Sequence, residues 1–412
     1  MRVSRRSALT LLGASALAGH VRPARAEGKF VTVGINLPLT GAAAEDATNI
    51  LHGALLAIEE ANAAGGPGGY EVRTLVLDNG TSTAGQYDPA QAAINARKMV
   101  ADPTVVASIG PMSSGSGKAM APLLSQGNLA TVTPSSTSPD LTNRKYAEQF
   151  RPAGRAIYFR TVTTDAFQGP NMANFMADEL KIKSVFVLDD SGAYGVGIAD
   201  TFQAQAAKRG IQVMGRDRVD PLVSDYQPVL TKIKNLDPQA LYCGSSALAG
   251  VKLVKQSYDI MPDMIKAGGD GMHQASILAG AGFPAAQGWY STIAAPHMLD
   301  DAKLSGWLAN FQKRWNSLPS DYSITAYDAA LVVLTAIASV AKSGGPVDRA
   351  AVRDAIQAVK VDTLQGPISF DANGDLTDHV VSVFQVQRDT MHPVNDVVHQ
   401  FKYIGVALAD ST

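Results

Sequence analysis

The stretch Ile-Gly-Pro-Met-Ser-Ser-Gly-Ser-Gly, residues 109–117, ends an apolar run that begins at Val105 and leads into a helical pattern over 118–124. Strand, then a turn of glycines and small hydroxyls, then helix, is the repeating unit of a parallel α/β sheet. Such a turn presents free backbone N–H groups and short hydroxyls where the helix dipole adds partial positive charge. It is suited to hold an anion: a phosphate, a transition-state oxyanion or a substrate carboxylate.

A phosphate loop needs a glycine five places before its Gly-Lys pair and a hydroxyl after it, whereas Gly117-Lys118 has Met112 and Ala119 there. A hydrolase elbow needs a glycine two places before its serine, and Ser113 and Ser114 have Pro111 and Met112. A second loop repeats the arrangement: LATVTP runs into Ser135-Ser136-Thr137-Ser138-Pro139-Asp140. In a parallel sheet both loops lie at the carboxyl edge, where ligands bind. Two hydroxyl-rich turns converging on one point hold a carboxylate with several charge-assisted hydrogen bonds. Each loop taken alone reads equally well as a helix cap.

Working outward, β-rich runs alternate with helical stretches. FVTVGINLPL precedes a helix whose Ile50, Leu51, Ala54, Leu55 and Ile58 share one face, ended by Gly65-Gly66; YEVRTLVLD and a helix over about 89–100 follow. After Tyr158-Phe-Arg-Thr-Val the cadence restarts, with a helix opening at Pro170, then SVFVLDD, IQVMGRD, ALYCGSS and MIKAGGD separated by helices. Helices over about 301–315 and 323–342 come next, and β-rich sequence closes the chain. The pattern predicts an α/β fold of two doubly wound lobes with mainly parallel sheets. Asp371-Ala-Asn-Gly-Asp375 resembles the opening of a calcium loop, but its glycine comes two places early and no glutamate closes it, so it reads as a hairpin turn.

The 412 residues are 46% apolar and 17% charged, enough for two or three cores. The N-terminus carries Arg2, Arg5 and Arg6, an apolar segment over 8–18 and small residues at Ala24 and Ala26, which is the layout of a cleaved export signal. Ser4-Arg5-Arg6 fits twin-arginine export, and a plain secretory signal fits equally. Cleavage after Ala26 removes five arginines and no acid, so Lys+Arg falls from 35 to 30 against 37 Asp+Glu, a formal charge of −7. A mildly acidic chain without clustered cations excludes nucleic acid as a partner. Cys243 is alone and forms no intrachain disulfide, and no cysteine follows the signal to take a lipid. The seven histidines show no metal-ligand spacing, so no metal and no cofactor is expected. No run after the signal reads as a membrane span.

Taken in order, VGINLPLTG, EEANAAGG, VLDN, IGPMSSGSG, TPSSTSPDLT, FRTVTTDAFQGP, DDSGAYGVG and GPISFDANGDL resemble the periplasmic substrate-binding proteins of the branched-chain amino acid (Leu/Ile/Val-binding) type, the receptors of ABC importers. The resemblance spans the mature chain. It implies a type I periplasmic-binding architecture, two lobes joined by three hinge crossovers near 160–163, 291–295 and 365–369. The divisions are then a signal over 1–26, the first lobe over 27–161 and 294–367, and the second over 162–293 and 368–412.

The resemblance also implies that Ser114 donates to a substrate α-carboxylate, Ser135 gives a backbone contact and Thr137 touches carboxylate and ammonium. Asp270 would pair with the α-ammonium, and Tyr194 and Tyr322 would close over the ligand. Read from its own surroundings, Gly-Gly-Asp-Gly, Asp270 is a turn residue, and the two tyrosines are ordinary lobe packing. Two departures set this chain apart: Asp46 stands where the family often has an aromatic, so it is expected to face the side-chain pocket, and Ser245-Ser246 puts a small polar residue at another aromatic position.

The expectation is therefore a non-catalytic periplasmic receptor, a monomer, that closes over a small amino acid and delivers it to an inner-membrane permease. The alternatives are the same fold binding an aromatic or other organic acid without an amine, an exported α/β hydrolase, and a sensor domain signalling through a separate membrane chain.

Overall fold

The computed structural model of the protein describes residues 29–406, so the signal sequence expected at 1–26 lies outside the described residues. The first sheet comprises β1 (Phe30–Leu37), β2 (Glu71–Asp78), β3 (Val105–Ile109), β4 (Thr131–Thr133) and β5 (Tyr158–Arg160) in the order β2-β1-β3-β4-β5, every pair parallel. The second is built from β6 (Ser184–Asp189), β7 (Gln212–Arg218), β8 (Ala240–Gly244), β9 (Ile265–Gly268) and β10 (Tyr290–Ile293) in the order β7-β6-β8-β9-β10, again parallel. A hairpin of β11 (Val361–Thr363) and β12 (Gly366–Ile368) precedes β13 (Ser382–Val386) and β14 (Phe401–Val406), which extend the second sheet antiparallel beyond β10. This is the type I periplasmic-binding fold.

Both sheets share one strand order, with the first strand between the second and the third. Each therefore has a topological switch point, at β1/β3 and at β6/β8, where loops diverge to opposite faces and leave a crevice.

The chain passes between the sheets after β5, after β10 and after β12. These connectors lie side by side: the Thr163 N–H donates to the Ala294 carbonyl at 2.8 Å, the Gln365 amide to the Thr161 carbonyl at 3.3 Å and the Ser382 hydroxyl to the Ala295 carbonyl at 2.8 Å.

Helices cover both faces of the sheets, so β1 is buried throughout from Val31 to Leu37, with Val33, Ile35 and Leu37 fully buried on one face and Thr32, Gly34 and Asn36 on the other. Each of these apolar side chains contributes roughly 1.5–3 kcal/mol. The helix Ala44–Ala63 packs on the long helix Asp321–Lys342, and Gly53 permits it: a Cβ there would stand 2.0 Å from the Ser323 carbonyl oxygen. Its buried face centres on Ile50, Ala54 and Ala57, with Leu51 and Leu55 half-buried beside it.

Four sequence expectations change. The helix expected from 118 begins at Ser114, because Ser113 caps it and accepts the Ser116 N–H. Pro170 does not open its helix, which starts at Asp165, where the Asp165 N–H donates to the Thr137 carbonyl of the other lobe at 2.9 Å. Pro170 sits inside, at the loss of one hydrogen bond. The helix Asp321–Lys342 is long and apolar enough to cross a membrane by length and composition, and here it is packed mostly inside the fold. The fourth concerns Asp46 and belongs with the site. The 371–375 segment is a turn, closed by the Phe370–Leu376 bridge, with the Asp371 carboxylate taken by the N–H groups of Asn373, Gly374 and Asp375. Cys243 is a free, buried thiol on β8, pushed up by burial.

Candidate functional site: the cleft between the lobes

Loops leaving β3, β4, β8 and β9 face one another across the space between the sheets and border a cavity.

The first wall is the pair of hydroxyl-rich loops. Gly110, at φ +105°, turns the chain out of β3 where a Cβ would meet the Asn36 carbonyl oxygen at 2.5 Å. Ser114 then opens the helix Ser114–Gln126, whose first N–H groups have no intrahelical acceptors. The Ser138 N–H donates to Ser114 Oγ at 3.2 Å, leaving the Ser114 proton for another acceptor. Thr133 locks the loops together: its hydroxyl donates to the Pro111 carbonyl at 2.6 Å and accepts the Ser136 N–H at 3.0 Å. Ser135 Oγ donates to the Met112 carbonyl at 3.2 Å.

Arg160 at the end of β5 fixes the second loop from behind. Fully buried, its Nη1 donates to the carbonyls of Ser136 and Ser138 at 2.9 and 3.2 Å, its Nη2 to Thr142 Oγ1 at 2.7 Å and its Nε to Asp375 Oδ1 at 2.5 Å. The aspartate that ends the 371–375 turn is thus the counter-ion of the loop's anchor.

The second wall carries Asp270, just after β9. Its Oδ1 accepts the Gly271 N–H at 3.1 Å and the Gln168 amide at 3.3 Å, and its Oδ2 accepts the Tyr322 hydroxyl from the other lobe. The Tyr194 hydroxyl accepts the Gly271 N–H at 2.9 Å. Gln168 also accepts the Asp270 N–H at 2.9 Å and the Thr292 hydroxyl at 2.7 Å, and donates to Asp165 Oδ1 at 3.0 Å.

Burial raises the Asp270 carboxyl, and the hydrogen bonds from Tyr194, Tyr322, Gln168 and Gly271 oppose that rise. Asp165 stands well above the ordinary carboxylate range, through burial first and the Asp270 charge second. Among the described residues no group of three or more His, Cys, Asp and Glu is placed to hold a metal.

A family model described as periplasmic binding protein matches residues 31–390. The chain belongs to the periplasmic binding protein family. Within it, the chain is of the Leu/Ile/Val-binding type, the substrate-binding proteins of ABC transporters. It is 30% identical over 379 residues to the Leu/Ile/Val-binding protein homolog 3 of Brucella melitensis, covering 92% of this chain and 97% of that one. It is 28% identical over 380 residues to the leucine-, isoleucine-, valine-, threonine-, and alanine-binding protein of Pseudomonas aeruginosa, covering 92% and 95%. The fold matches a leucine binding protein of Thermotoga maritima with a TM-score of 0.79 at 24% identity, over 93% of this chain and all of that one. It also matches an R. palustris solute binding protein in complex with benzoate, with a TM-score of 0.76 at 19% identity over 93% and 98%.

Of the residues expected from sequence to serve this binding protein, Ser114, Ser135, Tyr194, Asp270 and Tyr322 line the cavity. Thr137 does not: it is buried next to Asp165, toward whose carboxyl its hydroxyl is directed. Asp46 is a correction. Its carboxylate is turned onto the start of the helix Ala275–Ala281, accepting the Ala275 N–H at 2.9 Å and the Ser276 hydroxyl at 2.8 Å, so it joins the lobes instead of facing a side-chain pocket.

The sequence reading missed Gln86 and Tyr87, which line the cavity from the loop after β2, and Gln274. It also missed Asp165, Gln168 and Arg160 behind the walls. One signal was present for Gln86 and Tyr87: their loop follows VLDN, a third strand end on the same carboxyl edge. Asp165 and Gln168 sit in the quoted FRTVTTDAFQGP, where nothing local marks them.

Proposed function

We propose that the protein is an exported receptor that binds a small amino acid between its lobes and presents the closed form to an ABC permease. The lobes are 27–161 with 294–367 and 162–293 with 368–412. The observation that carries this reading is Asp270, a buried carboxylate in the cleft opposite two loops of hydroxyls and helix N–H groups. That layout suits a zwitterion: Ser114 and Ser135 take the carboxylate, Asp270 takes the ammonium, and Tyr194 and Tyr322 cover them. Thr137 supports the second loop from behind, and Asp46 closes the mouth.

The periplasm is the compartment of this function, reached through the signal at 1–26, and the receptor acts as a monomer, without cofactor, so that both lobes meet the transporter. An acid without an amine fits the site poorly, since its remaining face would meet Asp270 with no charge to offer.

The test is a thermal-shift screen of ligand-stripped protein against L-amino acids and benzoate. A ligand that binds only the folded state raises stability by about 2.7 kcal/mol at a hundredfold excess over Kd. Shifts with amino acids that vanish in Asp270→Ala are expected. Shifts with benzoate alone would overturn the reading.

A further inference from the structure

The α-groups of an amino acid account for Ser114, Ser135, Asp270, Tyr194 and Tyr322, which leaves part of the cavity lining unassigned. Among the remaining lining residues are Ala43, Gln86, Tyr87, Met112, Ser246 and Gln274. Four of these six are polar, an unusual wall for an aliphatic side chain.

Gln86 is the decisive member. Its residue is 8% exposed, and its Oε1 is buried with no hydrogen-bond partner. A buried amide oxygen left unpaired is costly, so such a group normally meets a partner. Its loop is fixed: the Thr81 N–H donates to the Gln86 carbonyl at 3.2 Å, and the Ala42 N–H to the Gly85 carbonyl at 2.8 Å. Neighbouring polar groups are engaged elsewhere, with Ser246 Oγ donating to Asp190 Oδ2 at 3.1 Å. Asp190 in turn accepts the N–H groups of Gly192 and Ser246 at 3.0 Å each and lies behind the lining. Asp270 is the one charged side chain among the lining residues. The lining left unassigned thus includes an unsatisfied amide and no charge.

We propose that the bound amino acid has a neutral side chain bearing a hydroxyl or a carboxamide, which hydrogen-bonds the Gln86 amide. This rests on the amino-acid reading above and adds the side-chain class. An amide presents both a donor and an acceptor, so either terminal group finds a complement there whichever way the amide faces. An aliphatic side chain of the same shape leaves Gln86 unpaired in a closed cleft, which is how a site built for a hydrogen bond rejects the analogue lacking it.

Two isosteric pairs test it by titration calorimetry on the ligand-stripped protein: L-threonine against L-valine, and L-asparagine against L-leucine. A preference of about tenfold or more for the polar member of at least one pair is expected. In Gln86→Leu that preference collapses while the aliphatic members still bind. Equal or reversed affinities in both wild-type pairs would mean that water satisfies the amide, and would overturn the side-chain assignment while leaving the amino-acid reading intact. Failure of all four amino acids to bind, with benzoate bound, would instead overturn the reading on which the assignment rests. The wild-type ratios decide the matter even if the variant folds poorly.

Discussion

Asp270 draws its character from where it sits: a desolvated carboxylate among the lining residues of the cleft, with hydroxyl, amide and backbone donors arranged around it. Removing it leaves a bound ammonium without its charge partner, so Asp270→Asn should weaken amino-acid binding by about a hundredfold or more, measured by calorimetry. Ser114→Ala removes one charge-assisted hydrogen bond worth roughly 1.5–3 kcal/mol, hence about ten- to a hundredfold in affinity. The pH dependence follows from the direction of the shift. A raised carboxyl takes up its proton at a higher pH than an ordinary one, and once neutral it no longer pairs with the ammonium. Affinity should therefore fall on acidification earlier than an ordinary carboxylate would allow, and Asp270→Asn should lose that dependence. An acid-insensitive wild type would contradict the assignment. At this scale Ser114 was legible because a strand-end loop of small hydroxyls announces itself, whereas Asp270, a turn residue by its own surroundings, was singled out only by the family resemblance. Gln86 and Gln168 were not, since a lone glutamine carries no pattern and acquires a role only through what folds against it.

At the scale of elements, close approach and buried charge decide most. The helices Ala44–Ala63 and Asp321–Lys342 touch at Gly53, where an added methyl would overlap backbone. Gly53→Ala should destabilise by about 1–3 kcal/mol in urea unfolding, although alanine is the better helix former. A neutral outcome would mean that the helix pair slides apart freely. Arg160 is the other element-level device, joining the loop after β4 to the turn before β13 through Asp375. Removing Asp375 strands a fully buried guanidinium, so Asp375→Ala should cost about 3–5 kcal/mol, with part of it regained in Arg160→Met/Asp375→Ala. The alternation of strands and helices was readable here because burial imposes a local period. Helix starts were less so: Ser113 and Asp165 define theirs through hydrogen bonds rather than propensity, and in Asp165's case the partner, Thr137, lies in the other lobe.

At the scale of the molecule, the lobes are closed on each other through Tyr322 with Asp270 and through Asp46 with Ala275 and Ser276. Asp46 is half-buried where the lobes meet, and desolvation there pushes its carboxyl up to about 6, outweighing the hydrogen bonds it accepts. The closed form therefore binds a proton more tightly than an open form with an ordinary carboxylate. Closure through Asp46 is favoured below that range and weakened as pH rises through about 6. Small-angle scattering of ligand-free protein should show a more compact ensemble on acidification through that range. Asp46→Asn, which keeps an acceptor but no titration, should show none of the change. An identical response in both proteins would exclude Asp46 as its source. The sequence by itself determined the two α/β lobes and the carboxyl-edge loops that border the cleft, because hydrophobic period, glycine turns and helix caps are local and repeat with each unit. Only the tertiary structure decided that Asp46 joins the lobes, that Asp165 and Asp270 share one glutamine, and that the Gln86 amide oxygen is buried without a partner. Those facts depend on residues far apart in the chain meeting across an interface, where desolvation, not sequence pattern, assigns each polar group its role.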